Sequence, residues 1–119
     1  MIIGIGTDLV VEKKKLQKIY EKYPKRFSEK ILSDCEKNIF SKLSSKKKVD
    51  FLCSSFSAKE AYVKALGTGF RGIYPPDITI SRDRLGKPNI STKKLNHNKF
   101  HLSITNTESY TLSFVVIEK

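Results

Sequence analysis

A chain of 119 residues with 39% hydrophobic content suits one folded domain spanning residues 1–119. Its two cysteines, Cys35 and Cys53, have no metal-ligand spacing, and no apolar run approaches the length of a membrane span. A disulfide scaffold, a zinc module and an integral membrane helix are therefore not expected, and the apolar start "MIIGIGTDLVV" lacks the basic flank of a signal peptide and carries Asp8. The expected location is the cytoplasm, or the matrix of an organelle after removal of a leader. The net charge of +11 is uneven: residues 12–48 hold thirteen Lys or Arg and five Asp or Glu, a balance of +8. Such a segment points to an anionic partner: nucleic acid, a membrane surface, a phosphorylated cofactor or an acidic protein.

In chain order, Ile2 to Thr7 reads as a strand, with Gly4, Gly6 and Asp8 on one face and Ile3 and Ile5 on the other. The glycines would let another element approach that backbone. Glu12 to Lys22 has helical spacing, with Leu16, Ile19, Tyr20 and Tyr23 inward. Pro24 starts a short helix through Leu32. "SDCE" at Ser33 to Glu36 has the spacing of a capping box and opens a helix toward Leu43. After the polar "SSKKK", a long helix is predicted from about Lys47 to Leu66, with Gly67 as its C-cap. "GTGFRGIYPP" is a loop, followed by a strand at Asp77 to Ser81, a turn at Leu85-Gly86 and a short extended piece after Pro88. A hairpin pairs about Phe100–Thr105 with Tyr110–Ile117 across "NTES". The order predicts an α+β fold, an antiparallel sheet packed on a long central helix.

At 100° per residue, Val49, Cys53, Phe56, Glu60 and Val63 share one stripe of that helix, and Glu60 lies near its middle. A buried carboxylate needs protonation, an ion pair with Lys59 or Lys64, or a metal. Asp8, ending the first strand on its glycine face, is either a helix N-cap or a second carboxylate for the same place. Two carboxylates with lysines nearby suit Mg²⁺, which fills its shell with water and phosphate oxygens. "GTG" and "NTES" offer backbone N–H groups to an anion. His97 and His101 read as a surface and a strand residue, and no hydrolytic triad competes. A basic nucleic-acid module explains the lysines but not an inward Glu60.

"GIGTDLV", "FSAKEAYVKALGTGF", "PPDITI", "GKP" and "HLSITNTESYTLSFVVIE" follow one another in the order and spacing of the holo-acyl-carrier-protein synthases. The resemblance to these small 4′-phosphopantetheinyl transferases runs from Met1 to Glu118. It implies transfer of 4′-phosphopantetheine from coenzyme A to a serine of acyl carrier protein, in fatty-acid synthesis, by a homotrimer with sites between subunits. It implies Mg²⁺ on Asp8 and Glu60, with Lys64 joining them as the catalytic set. Lys59, Lys64, Gly67, Thr68, Gly69, Pro88, Thr105 and Asn106 would contact coenzyme A. Lys13, Lys14, Lys15, Lys18, Lys25 and Arg26 would dock the acidic carrier; neither nucleic acid nor membrane is an expected partner. Three positions depart from the family pattern. Ser55 stands where an arginine usually precedes the "F-x-x-KEA" phenylalanine, and Asn106 replaces the histidine of "SITH". The first helix has lysines where an arginine is usual, and lysine lacks the bidentate fork.

Overall fold

The computed structural model describes residues 1–93 and 98–119, so His97 lies outside the described residues. Strand β1 (Ile2–Val10) is followed by helices α1 (Lys13–Lys22), α2 (Pro24–Ile31), α3 (Asp34–Phe40) and α4 (Ser45–Leu66). Strands β2 (Ile78–Arg82), β3 (Pro88–Thr92), β4 (Lys99–Asn106) and β5 (Thr111–Glu118) complete the chain. The strands divide into an antiparallel three-stranded sheet, ordered β1-β5-β4, and a β2–β3 hairpin. The expected α+β architecture is thus observed, with the piece after Pro88 pairing back on β2.

Local chemistry explains the helix limits. Pro24 occupies the first turn of α2. At α3, the Glu36 amide donates to Ser33 Oγ at 3.3 Å while the Ser33 amide donates to Glu36 Oε1 at 2.8 Å, so both arms of the capping box form. Helix α4 starts two residues before the predicted Lys47, because Ser44 caps it by accepting from the Lys47 amide. It ends at Gly67, whose φ of 79° is open to glycine at little cost and closes the last turn onto Val63 and Lys64 carbonyls.

Helix α4 lies across β1 and β5, and this contact sets the fold. A Cβ on Gly4 would fall 2.0 Å from the Ala65 carbonyl oxygen, and one on Gly6 2.0 Å from that of Ala61. Only glycine lets the two backbones meet so closely. On either side of this seam lie two apolar clusters. One packs Ala58, Ala61, Tyr62 and Ala65 on Leu102, Val115, Ile117, Ile78 and Ile80. The other joins Ile31, Leu32, Phe40 and Leu52, with Leu16, Tyr20 and Phe27 against it. Ile19 and Tyr23, expected inward, are about half exposed, because α1 turns the edge bearing Lys13, Leu16 and Tyr20 to the rest of the protein. No helix among the described residues is long and apolar enough to cross a membrane.

The predicted stripe on α4 is corrected in one respect. Residues 52–55, 57–59, 61–63 and 65 are all buried, so the helix is covered around most of its circumference. Among the described residues, the fully buried charges are Lys59 and Glu36, each 0% exposed. Glu60 is only partly buried, on the flank facing β1.

Replacing Gly6 by Ala forces the seam apart, since the clash is with helix backbone and not with a movable side chain. The expected loss is about 3 kcal/mol or more, at the upper end of overpacking costs, read from the urea midpoint. A midpoint equal to that of the unsubstituted protein would show that the seam is looser than described.

Candidate active site

The seam carries Asp8 and Glu60 to the same place. Asp8 follows the glycines on the inner face of β1, and Ser57 Oγ donates to its main-chain oxygen at 3.3 Å. Lys64, one turn beyond Glu60, sets its ammonium 3.5 Å from Asp8 Oδ1 and donates to the Thr7 carbonyl at 3.0 Å. Asp8 Oδ2 is buried and has no hydrogen-bond partner. Glu60 holds its proton more tightly than an ordinary glutamate, chiefly through burial, then through the nearby Asp8 charge; Lys64 opposes the shift.

Two carboxylates crowd a spot that one exposed lysine only half neutralises. An unpartnered buried carboxylate oxygen costs free energy, and a hard cation at that point would satisfy it. The donor set is all oxygen, with no third metal-ligating side chain among the described residues. That composition fits Mg²⁺, which takes one or two carboxylates and leaves the rest of its octahedron to water and phosphate.

Past Lys64, Gly67 and Gly69 both have positive φ, and Thr68 Oγ1 is held on the Gly69 carbonyl. The turn is exposed and continues the helix flank that bears Lys64. On the other side of Asp8, a groove of about 380 Å³ runs between β1, α1 and α2, floored by Leu16, Ile19, Phe27 and Phe56 and edged by Lys15.

Other expected contacts fall elsewhere. Lys59, expected at coenzyme A, is sealed in the interior, donating to the Ile31 carbonyl at 2.6 Å and to Glu36 Oε1. It cannot touch a ligand without unfolding that region. Lys13, expected on the docking surface, is 4% exposed and bonds Asp50 Oδ1, Asn106 Oδ1 and the Thr107 carbonyl, which pins α1 to the β4–β5 turn. Lys14, Lys15, Lys18, Lys25 and Arg26 are exposed. Asn106 is held on Ser54, Thr111 and Lys13, on a flank of α4 away from Glu60. Thr105 lies on the opposite sheet face, across from Leu112, and Pro88 opens β3 opposite Arg82. Ser55 Oγ donates to the buried Glu36, beside a cavity of about 280 Å³ lined also by Phe51, Ser54 and Arg82. That cavity contains none of Asp8, Glu60 and Lys64.

The sequence did not reveal the Glu36–Lys59 and Lys13–Asp50 pairs. The only signal was the capping box, which placed Glu36 at a helix start but not under α4.

A model of the 4′-phosphopantetheinyl transferase superfamily matches residues 4–115. The holo-[acyl-carrier-protein] synthase of Anoxybacillus flavithermus is 43% identical over 120 aligned positions, covering 100% of this chain and 98% of that one. A crystal structure of the holo-(acyl-carrier-protein) synthase of Bacillus anthracis in complex with CoA (3′,5′-ADP) superposes with a TM-score of 0.90 at 35% identity, covering 100% and 98% of the two chains. The corresponding structure from Neisseria meningitidis gives a TM-score of 0.89 at 35% identity, covering 100% of both chains. The chain belongs to the 4′-phosphopantetheinyl transferase superfamily and, within it, to the holo-[acyl-carrier-protein] synthases.

The crowded carboxylates have a measurable consequence. A glutamate whose folded proton affinity is raised favours the fold below its unfolded pKa, and that contribution is lost as pH rises through the folded value. In chelator, Glu60→Gln is therefore expected to melt higher than the unsubstituted protein near neutral pH, with the gap closing on acidification. Differential scanning calorimetry across pH reads the gap. Equal melting temperatures at every pH would mean that Asp8 and Glu60 do not share one site.

Proposed function

We propose that this protein transfers 4′-phosphopantetheine from coenzyme A to a serine of apo acyl carrier protein, with Mg²⁺ on Asp8 and Glu60, as one transferase domain in cytoplasmic fatty-acid synthesis. The observation that carries the reading is the unpartnered buried oxygen of Asp8 beside the carboxyl of Glu60. The names of the relatives supply the reaction, and a relative solved with CoA (3′,5′-ADP) supports coenzyme A as the donor. The free cysteines, Cys35 exposed and Cys53 buried, fit a reducing compartment.

Mg²⁺, when bound, would supply positive charge to the pyrophosphate and its leaving oxygen. The chain's own groups account for the other steps. Lys64 reaches the same point and neutralises the phosphoryl group in transfer. The Gly67–Gly69 turn offers backbone and Thr68 hydroxyl contacts to the pyrophosphate. The serine oxygen forms a bond to the phosphorus that bears pantetheine, and the bond to adenosine 3′,5′-bisphosphate breaks. Among the chain's own groups, Glu60 is the candidate to receive the serine proton. Lys15 edges the groove beside Asp8, and Lys14, Lys18, Lys25 and Arg26 are exposed on the same two helices, α1 and α2; their charge would steer an acidic carrier that Ile19 and Phe27 would seat.

The expected coenzyme A contacts fall on two separate flanks of α4: Lys64 and Gly67–Gly69 with the carboxylates, Asn106 on another. They form one site only if a second copy supplies the remainder, which supports a homotrimer with shared sites. An apolar sheet face supports the same assembly. Ile3, Ile5 and Leu9 of β1 and Leu112 and Phe114 of β5 are each 43% or more exposed, and Leu9 pairs directly with Leu112.

Incubation with coenzyme A, Mg²⁺ and apo carrier, followed by weighing the carrier, tests the reaction. Glu60→Gln and Asp8→Asn are each expected to lower kcat at least about 100-fold, and the double variant to be little worse, as for parts of one site. Near-normal rates in either single variant at limiting Mg²⁺ would remove that residue from the site. The assembly is tested by sedimentation: Ile5→Asp with Phe114→Glu should give a folded monomer with little transfer. A fully active monomer would refute shared sites.

A further inference from the structure

The side chain next to Glu60 in sequence has an unusual setting. Lys59 is 0% exposed, and its ammonium is held by the Ile31 carbonyl at the end of α2 and by Glu36 Oε1. Glu36, also 0% exposed, accepts four hydrogen bonds: on Oε1 from Lys59 and from the Ser33 amide at 2.8 Å, on Oε2 from Ser55 Oγ at 2.9 Å and from the Ile80 amide at 3.1 Å. Every acceptor site of that carboxylate is used. The knot ties four elements together: the end of α2, the cap of α3, two successive turns of α4, and β2.

Helix α4 is therefore gripped on two flanks. On one, Ala61 and Ala65 ride on the glycines of β1. On the other, Ser55 and Lys59 are bonded to Glu36. The apolar packing around most of α4 is non-directional, and the hydrogen bonds of Ser55 and Lys59 to Glu36 add a directional constraint on its roll. Successive residues are separated by about 100° around a helix, so the roll that Lys59 fixes is the roll that aims Glu60 at Asp8.

We propose that Glu36 and Lys59 are positioning residues for the Asp8–Glu60 metal site, setting the angle at which α4 presents the Glu60 carboxylate. The inference rests on the reading of that pair as the Mg²⁺ site. Two rigid carboxylates on different elements hold a cation well only while their relative orientation is kept, and loss of outer supports typically weakens metal binding 10–100-fold. A purely structural pair would affect melting and leave the affinity of the folded protein for metal untouched.

Mn²⁺ titration of the metal-free protein, followed by calorimetry or electron paramagnetic resonance at a temperature where circular dichroism shows the chain folded, separates the two. Glu60→Gln is the reference for loss of a ligand. Lys59→Met strands a buried carboxylate and is at risk of unfolding, so the Glu36→Gln/Lys59→Met double variant carries the test, since replacing both members of a buried ion pair is often tolerated. It is expected to raise the Mn²⁺ dissociation constant about tenfold. Ser55→Ala keeps both charges, removes one of the four donors, and should raise it about twofold to threefold. Binding by the folded double variant and by Ser55→Ala within experimental error of the unsubstituted protein would overturn the proposal. Equal Mn²⁺ affinity in the unsubstituted protein and Glu60→Gln would overturn the metal reading itself, and the positioning role with it.

Discussion

The rest of the structure depends on one steric allowance, the missing side chains of Gly4 and Gly6. They let the backbone of β1 touch that of α4 at Ala61 and Ala65. A helix seated on ordinary strand residues stands off by the depth of their side chains, and Asp8 and Glu60 would then be too far apart to sense each other. Contact at the backbone brings the acid of the strand within range of the acid of the helix. Packing thus creates an electrostatic problem that the apolar core cannot relieve.

The chain's other buried charges are arranged differently. Glu36 and Lys59 are satisfied in the interior by each other together with Ile31, Ser33, Ser55 and Ile80, and Lys13 is compensated by Asp50 and two oxygens of the β4–β5 turn. These are closed networks. Asp8 and Glu60 form an open one, with like charges adjacent, a single exposed lysine and an oxygen left without a donor. The contrast is one of compensation: among the described residues the satisfied networks hold elements together, while the Asp8 carboxylate keeps one buried oxygen without a donor, as does its strand neighbour Ser113 Oγ.

Much of this was legible in the sequence. Period-two alternation placed Gly4, Gly6 and Asp8 opposite Ile3 and Ile5, and the exposure of both isoleucines agrees. "SDCE" and Gly67 marked helix ends because caps are local chemistry, complete within a few residues. What was illegible is long-range. Lys59 was assigned to a ligand because its partner, Glu36, lies 23 positions away in another helix. Lys13 meets Asp50 across 37 positions, so it looked like one more surface lysine in a basic run. Glu60 drew attention as the charge in an apolar stripe, yet α4 is covered on most sides and periodicity cannot rank depth within such a helix. The place of Glu60 beside Asp8 follows from the glycine face of β1 and not from the stripe.

The order of strands in the sheet bears on how the molecule comes into being. Strand β5 lies between β1 and β4, so the last strand synthesised completes the sheet that the first strand began. Ile2 pairs with Glu118, and the loop closed by that pairing is nearly the entire chain. Loop-closure entropy grows only slowly with length, but a contact of such sequence separation slows folding, since it gains nothing until both ends have met. During translation, α1 to α4 emerge with the apolar face of α4 lacking its β5 cover. The apolar face of α4 that packs on Val115 and Ile117 stays uncovered until β5 has docked.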